Sequence, residues 1–224
     1  MTEVQLPLDF GHCPALSEGD FLVAPCNEAA WAWLERWPNW PTPALAVYGP
    51  AGSGKTHLAH IFAQTSAAVF VDVAAMGVED PPRLLEAAPV LILEDCDRVQ
   101  LNEVALFHLV NLARETGRTL LLTGRLAPSA WPIVLADLRS RLNAMTAIGI
   151  GAPDDAILAA VLVKLFADRQ IRIAEDVILY LLGRMERSFA AALGLVDRLD
   201  RAALSGGRAV TVPLARAILD RGER

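Results

Sequence analysis

Gly49-Pro50-Ala51-Gly52-Ser53-Gly54-Lys55-Thr56 sets three glycines, a lysine and a hydroxyl residue at fixed spacing within eight positions. Glycine tolerates the left-handed backbone of a tight curl, so such a run can aim several N–H groups at one anion. The lysine offers a point charge to terminal phosphates, and the threonine beside it offers a hydroxyl to magnesium. The run is a complete Walker A phosphate-binding loop. It works only where a strand feeds the loop and a helix leaves it, because the helix N-terminus also faces the anion. Ala44–Tyr48 is a short apolar run, and residues 56–65 read as a helix, so that context is present.

A second element of such a site is acidic. Val90-Leu91-Ile92-Leu93 runs into Glu94-Asp95. Alone, these would be solvated acids at a strand end. Beside the loop, one carboxylate would hold the water shell of Mg2+ and the other would orient an attacking water. Asp97 extends the cluster and receives no role. Thr123-Gly124-Arg125 closes the fourth apolar run, where a polar side chain could reach a γ-phosphate; an ordinary turn after a strand is nearly as good a reading. Arg139 and Arg141 sit on a short helical stretch and read by themselves as solvated. His57 adjoins the loop and is placed with the cofactor-contacting residues. His57 and His60 stand at i, i+3, but no third ligand accompanies them, so packing or surface roles are favoured over metal.

These groups need a scaffold. Apolar runs at 44–48, 68–72, 89–93, 119–123 and 145–150 alternate with helical stretches at 28–37, 56–65, 83–88, 103–116 and 135–142. Alternation of this kind predicts an α/β fold, a parallel five-stranded sheet covered on both faces. At Gly151-Ala152-Pro153 the character changes. Helices are expected over 156–169, 175–185 and 188–204 and from Thr211 to Asp220, with Asp154 as an N-cap and Ser205-Gly206-Gly207 as a stop. The domains expected are a lead-in over 1–20, a P-loop domain over 21–151 and an all-helical lid over 152–224. The hydrophobic fraction of 54% is ample for both cores.

Net charge is −6, which disfavours direct DNA binding, since phosphate neutralisation needs clustered lysine and arginine. Cys13, Cys26 and Cys96 are odd in number and scattered, as free thiols of a reducing compartment would be. No signal peptide and no apolar run long enough to span a bilayer is evident. A cytoplasmic protein without membrane contact is expected.

Together the motifs resemble the DnaA-like AAA+ ATPases: the bacterial replication initiator DnaA and, more closely, its shorter relatives of the Hda type. The resemblance covers nearly the whole chain. Asp20-Phe21-Leu22-Val23-Ala24-Pro25-Cys26-Asn27 resembles the segment that packs around adenine, which implies nucleotide contacts for Phe21 and Asn27. Glu94-Asp95 falls at Walker B and Thr123-Gly124-Arg125 at sensor 1. Leu138-Arg139-Ser140-Arg141-Leu142 resembles the motif of the arginine finger and puts that finger at Arg141. Arg187-Ser188-Phe189-Ala190-Ala191-Ala192-Leu193 resembles the sensor 2 helix and puts its arginine at Arg187. The resemblance implies ADP or ATP with Mg2+ as cofactors, the metal at Thr56 and Glu94. Two positions depart from the pattern. Glu94 stands where the family usually has aspartate, a shift of about 1.5 Å from one extra methylene, and Gly124 stands where DnaA has an acidic residue. Both imply weak intrinsic hydrolysis and an ADP-bound resting state. Residues 205–224 are too few for the helix-turn-helix domain with which DnaA continues, so an origin-binding initiator is not expected.

Gln5-Leu6-Pro7-Leu8-Asp9-Phe10 resembles the peptide by which replication proteins bind the sliding clamp of DNA polymerase III. Pro7 biases Leu6 toward extended backbone. Leu8 and Phe10 would fill an apolar pocket, and Gln5 offers both donor and acceptor. A strand packing on the domain is the bland reading of the same six residues. Hda-type proteins carry such a peptide in this place. The family then implies a regulator that, on the DNA-loaded clamp, stimulates ATP hydrolysis by DnaA and so prevents re-initiation. Homo-oligomerisation is open. Two further readings are a stand-alone P-loop NTPase or small-molecule kinase, and a clamp-bound adaptor without a catalytic contribution.

Overall fold

The structure is a computed structural model, and it describes residues 21–98 and 100–222. These divide between Ala152 and Pro153 into two compact units.

The first unit holds α1 (Glu28–Glu35), β1 (Ala44–Tyr48), α2 (Lys55–Ser66), β2 (Val69–Val71), α3 (Asp80–Ala87), β3 (Val90–Leu93), α4 (Glu103–Thr116), β4 (Thr119–Gly124), a 3₁₀ turn at Pro128–Ala130, α5 (Ala136–Asn143) and β5 (Thr146–Gly149). The strands form one sheet in the order β2-β3-β4-β1-β5, every pair parallel. The three central strands are apolar apart from Thr119 and Thr123 near the ends of β4, because both faces are covered. Side chains alternate between the faces. Leu91, Leu93, Leu120 and Leu122 join Leu106, Leu109, Leu138 and Leu142 on one side. Leu45, Val47, Val90, Ile92 and Leu121 join Leu34, Leu58 and Phe62 on the other. Each such fully buried side chain contributes about 1.5–3 kcal/mol relative to exposure.

Element ends follow local chemistry. Asn102 caps α4 by accepting from the Ala105 amide at 3.1 Å, and Gly117 closes it in the left-handed region. α3 begins three residues earlier than expected, because Pro81 and Pro82 occupy a first turn that needs no N–H donor. β2 is shorter than expected. It is an edge strand with Val69 and Phe70 exposed, so pairing on one side alone defines its length.

The second unit holds α6 (Asp155–Asp168), α7 (Glu175–Leu182), α8 (Phe189–Gly206) and α9 (Val212–Gly222). Asp154 caps α6 through the Ile157 amide at 2.8 Å, as its sequence position predicts. Ser188 caps α8 in the same way at 3.1 Å. α8 continues through Gly206, and Gly207 supplies the left-handed stop. α7 ends at Leu182, ahead of the expected Met185, with Gly183 as its cap. Leu158, Leu162, Phe166, Leu181, Leu195 and Leu199 form the core. Arg169 ties the end of α6 to α8, donating to Asp197 at 2.6 Å and to the Leu165 carbonyl at 3.1 Å. Among the described residues no helix is long and apolar enough to cross a membrane.

Candidate nucleotide-binding site

The loop after β1 starts at the carboxyl edge of the sheet, where ligands of parallel sheets bind. The Gly49 amide donates to the Gly124 carbonyl at 3.2 Å, and the Ile150 amide donates to the Tyr48 carbonyl at 2.7 Å. The loop is thereby held between the tips of β4 and β5. A side chain at Gly49 would collide with the Ile150 carbonyl oxygen. Gly52 and Gly54 have φ of 70° and 96°, the left-handed curl that glycine alone adopts without strain. Gly54 leaves the start of α2 without a side-chain cap. Ser53 is buried, and its hydroxyl has no hydrogen-bond partner among the described residues.

Lys55 is 8% exposed and donates from Nζ to the Gly49 and Pro50 carbonyls, each at 2.9 Å. Burial lowers its pKa from the ordinary lysine value. Asp95 and then Asp97 oppose that shift, Arg125 adds to it and Glu94 opposes it. The glycine cradle, the unpartnered Ser53 hydroxyl and the desolvated ammonium all fit a polyphosphate. Thr56 is exposed on the first turn of α2, with Glu94 and Asp95 partly buried just beyond β3. No group of three or more His, Cys, Asp or Glu among the described residues forms a metal cage. That donor set suits Mg2+, which takes many of its ligands from phosphate and water.

Asp95 has φ of 52°, a left-handed conformation that a short polar side chain tolerates. Its amide donates to Thr123 Oγ1 at 3.2 Å, and its carboxylate accepts from Arg98 Nη1 at 3.1 Å. Thr123, which is 2% exposed, thus joins the turn after β3 to the tip of β4. Cys96, between the acids, is fully buried; burial pushes its thiol pKa up, so it is no nucleophile.

On the other flank Phe21 stacks on Trp31, ring centres 5.3 Å apart, and meets the edge of His57 at 5.3 Å. Asn27 is buried. Its side chain accepts from the Ala24 amide at 2.8 Å and donates to the Leu22 carbonyl at 3.0 Å, so it shapes the segment that carries Phe21. Gly151 donates to the Cys26 carbonyl at 2.8 Å and fastens that segment to the chain beyond β5. Trp31 completes this flank, and nothing in its sequence spacing relates it to Phe21.

Arg141 lies exposed on α5 and makes no ion pair among the described residues. Leu138 and Leu142 anchor the helix, and Arg139 projects about 160° away from Arg141 around its axis. Arg187, in the second unit, pairs with Asp155 at 2.9 Å, both side chains exposed. Gln5, Leu6, Leu8 and Phe10 lie outside the described residues.

A five-stranded parallel sheet with a Walker A loop after β1, followed along the chain by an all-helical unit, has the architecture of a AAA+ P-loop protein. Within the helical unit, residues 155–219 match the family "Hda, lid domain". The fold is similar to domain III of the Thermotoga maritima replication initiation protein DnaA, with TM-score 0.78 and 17% identity over 93% of this chain and 97% of that one. AMPPCP-bound DnaA from Aquifex aeolicus matches with TM-score 0.72 and 19% identity over 87% of this chain and 67% of that one. In sequence, an uncharacterized protein of Haemophilus influenzae is 29% identical over 189 residues, 80% of this chain and 82% of its own.

Proposed function

We propose that this chain is a regulatory AAA+ protein of the Hda type, which meets ATP-bound DnaA at the sliding clamp of DNA polymerase III and promotes hydrolysis of DnaA's ATP. The observation that carries the reading is Arg141: a permanently charged guanidinium, exposed and unpaired among the described residues, in a chain with an Hda-type lid. A finger of this kind stabilises charge spread over the transferring phosphoryl group, and one supplied in trans is worth about 10³–10⁵ in rate. The forked guanidinium suits several phosphoryl oxygens at once.

The chain's own nucleotide, ADP or ATP with Mg2+, would serve structure more than turnover. Gly49, Pro50, Ala51, Gly52, Ser53 and Gly54 would wrap its phosphates. Lys55 would neutralise them, Thr56 and Glu94 would face the metal, and Phe21 and His57 would lie against the base. Arg187 would fix the lid to the bound nucleotide. The AMPPCP held by the Aquifex aeolicus relative supports an adenine nucleotide. Glu94 at Walker B, Gly124 at sensor 1 and the Arg98 partner of Asp95 all work against placing an attacking water. Turnover by the isolated protein is therefore expected below about 1 s⁻¹. Steady hydrolysis above that rate would favour the stand-alone NTPase.

Residues 5–10 would dock on the clamp as an extended peptide. Ordering such a segment costs entropy, so single-site affinity is modest and a dimeric clamp helps by avidity. Leu8→Ala combined with Phe10→Ala should abolish clamp pull-down while leaving nucleotide binding unchanged. A double variant that still binds the clamp would show that the anchor lies elsewhere.

A further inference from the structure

Asp97 has no part in the scheme above, yet it is built into the phosphate end of the site. Its Oδ2 accepts from the Arg125 amide at 2.7 Å and the Leu126 amide at 3.0 Å, so the carboxylate is clamped onto the tip of β4. Its Oδ1 is buried and has no hydrogen-bond partner among the described residues. Gly124 is the residue that admits it. A Cβ at 124 would lie 3.3 Å from the Asp97 carboxyl carbon and 3.2 Å from the Trp131 ring. Trp131 is buried and fixed in turn by donating from Nε1 to the Leu126 carbonyl at 2.8 Å. The same Gly124 accepts from the Gly49 amide, the first residue of the phosphate loop. Position 124 thus lacks an acidic side chain of its own, and a carboxylate reaches the neighbouring space from the turn after β3.

We infer that Asp97 is a specificity-determining residue that biases the site toward a nucleoside diphosphate over a triphosphate. The inference rests on the nucleotide reading of the loop and adds to it the selector. Asp95, Asp97 and Glu94 each act electrostatically on the buried Lys55 ammonium, against the single cation Arg125, and Asp95 already has a guanidinium partner in Arg98. A γ-phosphate held by Lys55 would add negative charge to a site that these carboxylates already make negative, and a diphosphate would add less. In a partly desolvated site, like charges several ångströms apart repel strongly enough to change relative affinity by about fivefold or more. Two backbone N–H groups hold Asp97 in place, so it cannot swing aside to relieve that repulsion.

Asp97→Asn tests this, because asparagine keeps an oxygen for the two amides and removes the charge. Asp97→Ser removes the charge with less bulk and serves if asparagine disturbs folding. Affinities for Mg·ADP and Mg·AMPPNP are measured by calorimetry on the parent and both variants, with thermal unfolding as the check of fold. The expected result is an AMPPNP-to-ADP affinity ratio about fivefold or more above the parent's, with ADP affinity within about twofold. A merely structural role would weaken both nucleotides together and leave the ratio unchanged, and that outcome overturns the inference. A parent that binds neither nucleotide overturns the nucleotide reading and this inference with it.

Discussion

Lys55→Ala should abolish nucleotide binding, raising Kd by about a hundredfold or more. Lys55 is the one ammonium built into the loop, and it is buried at 8% exposure with its charge already partly desolvated. Removing one partner of a buried, hydrogen-bonded charge pair costs about 2–5 kcal/mol, and every 1.4 kcal/mol is a factor of ten in affinity. The fold should survive. Of the two carbonyls that Lys55 serves, that of Pro50 belongs to an exposed residue where water can replace the ammonium, and the cost of burying an ammonium disappears with the side chain. A second signature follows from the lowered pKa. As pH rises through that value the free site loses its charge, so affinity should fall at alkaline pH and binding there should take up a proton. Lys55→Met separates charge from volume and should behave like alanine. Calorimetry showing equal affinity for variant and parent would refute the site.

Arg141→Ala should remove stimulation of DnaA hydrolysis while leaving folding, nucleotide binding and clamp binding intact. Exposure and the absence of an ion pair among the described residues make the side chain dispensable for the fold. Substitutions at such positions usually stay within about 0.5 kcal/mol. Loss in trans can be as large as about 10³–10⁵ in rate. Arg141→Lys keeps the charge and loses the fork, so it should restore little. Arg139 lies on the same helix and faces elsewhere, which makes Arg139→Ala the control. Normal stimulation by Arg141→Ala would reject the assignment. Loss at Arg139 alone would move the finger by two residues, and loss of folding at Arg141 would mark a structural arginine.

Much of this arrangement is legible in the sequence wherever one residue type answers one physical demand. The glycines of the loop are there because Gly52 and Gly54 need left-handed backbone and Gly49 has no room for a side chain. α4 falls at the expected residues 103–116, where the apolar spacing is helical and the flanking Asn102 and Gly117 supply a cap and a left-handed stop. β1 falls at the expected residues because its apolar run is bounded by a proline and by the loop. What escapes the sequence depends on distant partners. The reach of Asp97 to amides 28 and 29 residues on follows from strand order, which no local pattern encodes. The stack of Phe21 on Trp31 and the pairing of Arg187 with Asp155 have the same origin. Asn27 shows the converse: a residue placed against the nucleotide by resemblance has its side chain engaged with its own backbone segment.

The proposed role of this protein is to act on the nucleotide of another. Its most direct test follows hydrolysis of ATP bound to DnaA, in the presence of clamp, DNA and this chain, with each left out in turn. The expected result is acceleration of about 10³–10⁵-fold that requires all the components and the arginine at 141. An unchanged DnaA rate with every component present, and with this chain shown to be on the clamp, would contradict it and leave a docking adaptor in its place.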